Sequence, residues 1–162
     1  MIRILKILLV LSIAGFGIAG FMSNMVDYTA TREQVKQVLE MAPGTPGIEW
    51  RSIHTEIAID IGFALIYMTK LVMAFLCLIC SFQMIKNINS DTETFQAAKH
   101  LGIVACAVGV IMFFIGFIVF TETYFEYWRV PILGVATHDF AFSYITMLSL
   151  FFIILAQKDY LK

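Results

Sequence analysis

The chain has 162 residues, of which 60% are hydrophobic and 14% are charged, and its formal net charge is −1. Soluble domains are about 45–50% apolar and about 25% charged, so this composition excludes an ordinary globular core and indicates a membrane protein. A net charge near zero gives no basis for nucleic-acid binding.

Four apolar segments follow one another along the chain, at Ile4–Met22, Ile57–Ile85, Leu101–Phe120 and Ala141–Ala156. A helix needs about 20 mostly apolar residues to cross a hydrocarbon core of about 30 Å, and its backbone groups must bond within the helix. We therefore predict an all-α fold, a four-helix transmembrane bundle. It forms a single integral membrane domain over residues 1–162, with spans at approximately 4–23, 56–85, 99–121 and 137–157.

The first segment has an alternative interpretation as a cleaved signal peptide, with Arg3 and Lys6 as its charged start. The apolar run after them is longer than the usual signal-peptide core of about 7–15 residues, and no small-residue cleavage site follows. We therefore expect a retained helix.

The distribution of lysine and arginine predicts the orientation, because cytoplasmic loops carry an excess of them. One side of the predicted bundle has six such residues, Arg3, Lys6, Lys86, Lys99, Lys158 and Lys162. The other side has four, Arg32, Lys36, Arg51 and Arg129. Both termini are therefore expected in the cytoplasm, in a multi-pass protein of the bacterial inner membrane.

The first exported loop contains one helical pattern. Thr31 and Gln34 fit a capping box, and apolar residues then recur at helical spacing as far as a Pro-Gly turn at 43–47. This predicts a short amphipathic helix over Thr31–Met41. It either folds onto the bundle or lies in the headgroup plane, or else it forms a docking surface for another protein.

Aromatic and cationic side chains mark the exported boundary of the bundle. We interpret four of them as interface anchors in the aromatic belt of the membrane: Trp50, Arg51, Tyr124 and Trp128.

A polar stripe follows one face of the predicted second span. Its members at helical spacing are Glu56, Asp60, Tyr67, Lys70 and Ser81. Lipid cannot satisfy such groups, so the stripe should face the bundle or a partner. Hydroxyl residues on the fourth span (Ser143, Thr146 and Ser149) predict a polar seam between the second and fourth helices.

Small residues predict close helix contacts on the other two spans. They lie at Ser12, Gly15, Ala19 and Ser23 on the first span, and at Gly102, Ala105, Gly109 and Gly116 on the third.

Lys70 lies near the middle of the membrane, about 15 Å along the helix from Asp60 at 1.5 Å per residue. Its available partners within the chain are Tyr67, Tyr144, hydroxyls and backbone carbonyls. Three interpretations stay open. The side chain extends to a hydrated level, or the amine is deprotonated, or it pairs with an acid on another subunit or with a bound anion.

The exported face offers one cluster of ionisable residues, namely His54, Glu122, Glu126, His138 and Asp139. Such a cluster either binds a cation or forms an acidic rim facing water. We expect the rim, because these residues do not follow the regular sequence spacing of a metal-binding motif. Cys77, Cys80 and Cys106 all lie within spans, where burial disfavours the thiolate. We expect no cofactor, no metal and no catalytic residues.

Several motifs resemble those of a bacterial family of predicted small integral membrane proteins that is catalogued as a domain of unknown function. They are Asp27-Tyr28, the run Val35–Met41 before Pro-Gly, Trp50–Ile53, Phe95–Lys99, Tyr124–Trp128 and Ala141-Phe142. The resemblance covers nearly the whole chain and implies four spans without an established activity. The family pattern has a glutamate where this chain has Lys70, which speaks against a proton path that depends on an acid there.

These observations favour a non-enzymatic accessory or assembly subunit of a larger membrane complex. Its partners would be the lipid bilayer and either another membrane protein or a second copy of the chain. The alternatives are a small transporter or ion pathway along the polar stripe, and a membrane enzyme acting on a lipid or small molecule.

Overall fold

The computed structural model describes residues 1–41, 47–130 and 133–159, and within them it contains helices but no strand. The α-helices are α1 (Ile2–Val26), α2 (Tyr28–Leu39), α3 (Glu56–Lys86), α4 (Thr92–Ala98), α5 (His100–Met112) and α6 (Leu133–Ala156). A π-helical segment, Phe113–Tyr124, continues α5, and short 3₁₀ turns lie at Glu49–Arg51 and Tyr127–Arg129.

Four helical stretches of the described chain are long and apolar enough to cross a membrane: Ile2–Val26, Glu56–Lys86, Thr92–Tyr124 and Gly134–Ala156. They confirm the predicted all-α bundle. One end carries the start of α1, α4 and Asp159, and we call it the terminal end. The opposite end carries α2 and both 3₁₀ turns, and we call it the loop end.

The amphipathic helix α2 begins earlier than predicted. Asp27 precedes its first residue, Tyr28, so Thr31 lies inside the helix and the predicted capping box is wrong. Its half-buried side packs on the start of α3, where Val35 lies against Gly62. The contact supports the interpretation of α2 as a helix folded onto the bundle. Apart from Gly47, the predicted turn at 43–47 lies outside the described residues.

The long helix α3 packs chiefly against α1 and α5, while α6 packs against α5 and the π-helical segment. The predicted seam between the second and fourth spans is therefore wrong. Ser143 and Thr146 are exposed, and the Thr146 hydroxyl donates to the Phe142 carbonyl of its own helix. Such an intrahelical bond satisfies a hydroxyl without a neighbouring helix.

Glycines set the closest contacts of α3. A Cβ on Gly17 would lie 2.6 Å from the Lys70 carbonyl oxygen, and one on Gly109 would lie 2.8 Å from the Met73 sulfur. A Cβ on Gly102 would lie 2.9 Å from the Cys80 sulfur. The third-span prediction is therefore confirmed at Gly102 and Gly109, whereas Gly116 makes no close contact.

The predicted small-residue face of the first span is wrong, since all four of its members are exposed: Ser12, Gly15, Ala19 and Ser23. The buried face of α1 instead runs through Val10, Ile13, Gly17 and Asn24, which also follow helical spacing. Both sets of residues follow helical spacing, so the spacing of small residues alone does not show which face of α1 is buried.

We expect Gly17→Ala to destabilise the protein relative to Gly15→Ala. Both changes gain the same helix propensity, about 1 kcal/mol. Only the Gly17 variant places a methyl group against the Lys70 backbone, and such overpacking costs about 1–3 kcal/mol. Thermal unfolding in detergent measures the difference. Equal melting temperatures for the two variants would contradict the α1–α3 contact.

Candidate functional site

The outer part of the predicted stripe is bound by α2. The Arg32 guanidinium contacts Glu56 at 2.5 Å and Asp60 at 2.8 Å. The two carboxylate side chains are 65% and 58% exposed, so solvent screens both pairs and they contribute little stability. The two ion pairs instead fix the position of α2, because they attach it to the first two turns of α3.

An aromatic block interrupts the stripe below Asp60. Phe63 is 2% exposed, and its ring lies 4.9 Å from Tyr67 and 4.8 Å from Tyr28 between ring centres. Phe21 of α1 lies 6.1 Å from Tyr67. The block therefore separates the exposed carboxylates from Lys70, and the stripe is not one continuous polar path.

Lys70 is buried between α3 and α1. The whole residue is only 8% exposed, and its ammonium donates a hydrogen bond to the Asn24 side-chain oxygen at 3.3 Å. It passes over Gly20, where a Cβ would lie 3.0 Å from the Lys70 Cδ. Helical side chains tilt toward the N-terminus of their helix, so Lys70 reaches toward the loop end.

The partners suggested for Lys70 by the sequence make other contacts. Tyr144 stacks on Phe16 at 4.4 Å and on Phe113 at 5.3 Å between ring centres, and Tyr67 belongs to the aromatic block. Sequence reasoning missed Asn24 because the first span was expected to end at residue 23. The available signal was an amide residue on the same helical face as Gly17 and Gly20.

Deeper along α3, polar side chains bond within the bundle core. The Ser81 hydroxyl donates to the Cys77 carbonyl at 2.8 Å, and the Cys80 thiol donates to the Ala98 carbonyl at 3.4 Å. Cys77, Cys80 and Cys106 are all buried and unpaired. This lower part of the stripe therefore forms packing contacts and no open polar surface.

The terminal end holds a buried ionic cluster. In the sequence analysis its basic residues served only to predict the orientation of the protein in the membrane. Its members, which we call the terminal clasp, are Arg3, Lys6, Lys99 and Asp159. Asp159 contacts the Lys6 ammonium at 2.8 Å and the Lys99 ammonium at 2.7 Å. Both ammonium groups also donate to the Gln157 carbonyl. The clasp thus joins α1, the start of α5 and the segment after α6.

Arg3 completes the clasp on the side of α4. Its guanidinium donates to the carbonyls of Ile88 and Ser90 at 2.8 and 2.6 Å and lies 4.4 Å from the centre of the Phe95 ring. The loop between α3 and α4 is therefore fixed to the first turn of α1.

Asp159 is charged in this setting. Burial alone would raise the pKa of its carboxyl, but hydrogen bonds from Lys6 and Lys99 outweigh burial and lower that pKa below its ordinary value. The negative form is stabilised because it is the acceptor for two buried cations.

The predicted exported-face residues divide among three separate contacts at the loop end. Glu122 is buried and lies 3.8 Å from the His138 ring nitrogen. Glu126 contacts Arg51 at 3.2 Å and Arg129 at 2.5 Å.

The remaining members lie apart from these two contacts. His54 lies 3.8 Å from Glu40 and bonds to the Ser52 hydroxyl, while Asp139 is exposed. Among the described residues, no group of three or more His, Cys, Asp or Glu side chains is arranged to hold a metal ion.

The predicted interface anchors gather at the same end. The Arg51 guanidinium donates to the Tyr124 carbonyl at 2.8 Å and lies over the Trp50 ring. Trp50 and Trp128 are largely exposed, as rings in a membrane boundary would be. Their role as anchors stays a prediction.

These features define an all-α, multi-pass integral membrane protein with four candidate spans and charged groups paired at both ends. Residues 2–158 match the family described as "Predicted small integral membrane protein (DUF2165)", and the chain belongs to that family. No curated protein and no solved structure gives a significant match.

We expect Asp159→Asn to destabilise the protein by about 3 kcal/mol, because it leaves two buried ammonium groups without a carboxylate. Glu33→Gln, which changes an exposed acid on α2, is the matched control and should be neutral.

The stabilisation should also depend on pH. Because the folded-state pKa of Asp159 is lowered, its contribution is complete well above the unfolded pKa of about 3.9 and is lost as pH falls through the folded value. Thermal unfolding in detergent between pH 3 and pH 8 tests both points. A wild-type advantage over Asp159→Asn that stays unchanged below pH 4 would contradict the assignment.

Proposed function

We propose that the protein is a non-enzymatic accessory or assembly subunit of a larger membrane complex, and that it binds a partner's transmembrane helix. The observation that supports this proposal is an apolar groove of about 310 Å³ on the outer side of α3 and α5. Its lining residues are Ile61, Ala64, Leu65, Met68, Thr69, Val72 and Val108.

The spacing of the groove residues suits a helix. Ile61, Leu65, Met68 and Val72 recur every three or four positions on one face of α3, and all four are exposed. Ala64 beside them is small, and small residues allow another helix backbone to approach closely. The face therefore resembles half of a helix–helix contact.

The chemistry of the groove favours binding over reaction. Its one hydroxyl, on Thr69, donates to the Leu65 carbonyl at 2.7 Å and so serves its own helix. Reactive sites for small molecules combine an apolar wall with a few convergent polar groups, and this groove lacks the second element.

For localisation, we propose the bacterial inner membrane with both termini in the cytoplasm. An even number of spans would put both termini on one side of the membrane, and the surplus of lysine and arginine on that side supports the cytoplasm.

We expect the wild-type protein, extracted at its native level in mild detergent, to migrate on a native gel as a complex larger than the 18.3 kDa chain alone. Ala64→Phe should release the free chain because it fills the groove. Ser143→Phe, at an exposed position of α6 that does not line the groove, is the matched control and should leave the complex intact.

Two controls complete the experiment. Co-purification of tagged and untagged copies distinguishes self-association from a different partner. A membrane-impermeant maleimide in intact cells should label a cysteine placed at Glu33 and spare one placed at Lys158. A stable wild-type monomer without co-purifying protein, or an Ala64→Phe variant that stays in the complex, would refute the proposed function.

A further inference from the structure

The contact between Lys70 and Asn24 contains more hydrogen-bond donors than acceptors. A lysine ammonium has three donors and no acceptor, so Asn24 must present its oxygen to Lys70. The Asn24 amide nitrogen then points elsewhere, and it is buried without a hydrogen-bond partner in the described structure. Each unsatisfied buried donor of this kind costs about 1–3 kcal/mol.

Within the part of the chain that the structure describes, the same place holds no counter-charge for a Lys70 ammonium. Among the described residues, the ion pairs join other cations, and none includes Lys70. The one hydrogen bond that its ammonium makes to the described residues is long at 3.3 Å, whereas a bond from an ammonium to an oxyanion is about 2.7–2.9 Å. An acceptor that carries one negative charge would satisfy both Lys70 and Asn24.

We propose that Lys70 and Asn24 form a binding site for the carboxylate of an amphiphile with a single hydrocarbon chain, the chemistry of a free fatty acid. The two donor groups match the two oxygens of one carboxylate, with the ammonium on one and the amide nitrogen on the other. One cation balances one carboxylate charge. The site is independent of the groove on the outer side of α3 and α5.

The surroundings suit the rest of such a ligand. Asn24 lies two residues before the end of α1, which is about 3 Å along the helix axis at 1.5 Å per residue, so the donors lie toward the loop end. A carboxylate bound there would lie nearer the loop end than the mid-membrane level predicted for Lys70. The half-buried rings of Phe21 and Tyr67 lie about one helical turn before Asn24 and Lys70, and a hydrocarbon chain would pack against them.

The test uses the purified full chain in detergent with sodium palmitate as the ligand. Palmitate should raise the melting temperature, whereas hexadecanol, which has the same chain without the carboxylate, should not. Lys70→Met should weaken palmitate binding about tenfold or more, because it removes the charged donor, and Asn24→Leu should weaken it less. Lys36→Met on α2 is the matched control and should bind as the wild type does.

A second measurement needs no variant at the site. Palmitate with a photoreactive diazirine next to its carboxyl group should label wild-type peptides that contain Asn24 or Lys70. Labelling confined to other peptides, equal stabilisation by hexadecanol, or palmitate binding unchanged in Lys70→Met would overturn the proposal. If sodium chloride raised the melting temperature as much as palmitate does and sodium gluconate did not, the bound anion would be a halide. That result would also overturn the proposal.

Discussion

The close contact between α1 and α3 is the constraint on which the rest of the bundle depends. At Gly17 the two backbones approach so closely that a single methyl group would meet the Lys70 carbonyl. This approach places the Lys70 side chain over Gly20 and directs its ammonium to Asn24. The neighbouring side of α3, at Met73 and Cys80, receives α5 at Gly109 and Gly102, and α6 packs onto α5.

Charged side chains act at the two ends of this helix assembly and not along its length. At the terminal end, Asp159 neutralises part of a buried cationic cluster and fixes the segment after α6 to α1. At the loop end, Arg32 attaches α2 to α3, and Arg51 attaches the first 3₁₀ turn to Tyr124 and Glu126. Between the ends, Lys70 is the one buried basic side chain without an ionic partner among the described residues. This distribution is the reason for proposing a ligand at Lys70 and not at either end.

Apolar segment length predicts the four spans well, because lipid leaves the backbone little alternative to a helix. Within the polar stripe, Lys70 and Ser81 are buried whereas Glu56 and Asp60 are exposed, so its helical spacing indicated the inward side of α3 only in the inner half of the helix. Helical spacing did not predict that α1 packs against this side of α3, because it shows which face of one helix is buried but not which other helix covers that face. The sequence did not identify Asn24 as a partner of Lys70, because a polar residue just after a predicted span is expected to belong to the following loop. The terminal clasp was missed because Arg3, Lys6 and Lys99 also fit a charge rule that describes only orientation.

The central claim is that Lys70, as a cation, contacts Asn24 between α1 and α3. The most direct test is a double-mutant cycle that combines Asn24→Asp with Lys70→Met, read by thermal unfolding in detergent at pH 7. In the Lys70 background, Asn24→Asp should stabilise the protein because it supplies a carboxylate to the ammonium. In the Lys70→Met background it should destabilise it, giving a coupling of about 1–3 kcal/mol. An equal effect of Asn24→Asp in both backgrounds would contradict the contact and the arrangement of α1 and α3 built on it.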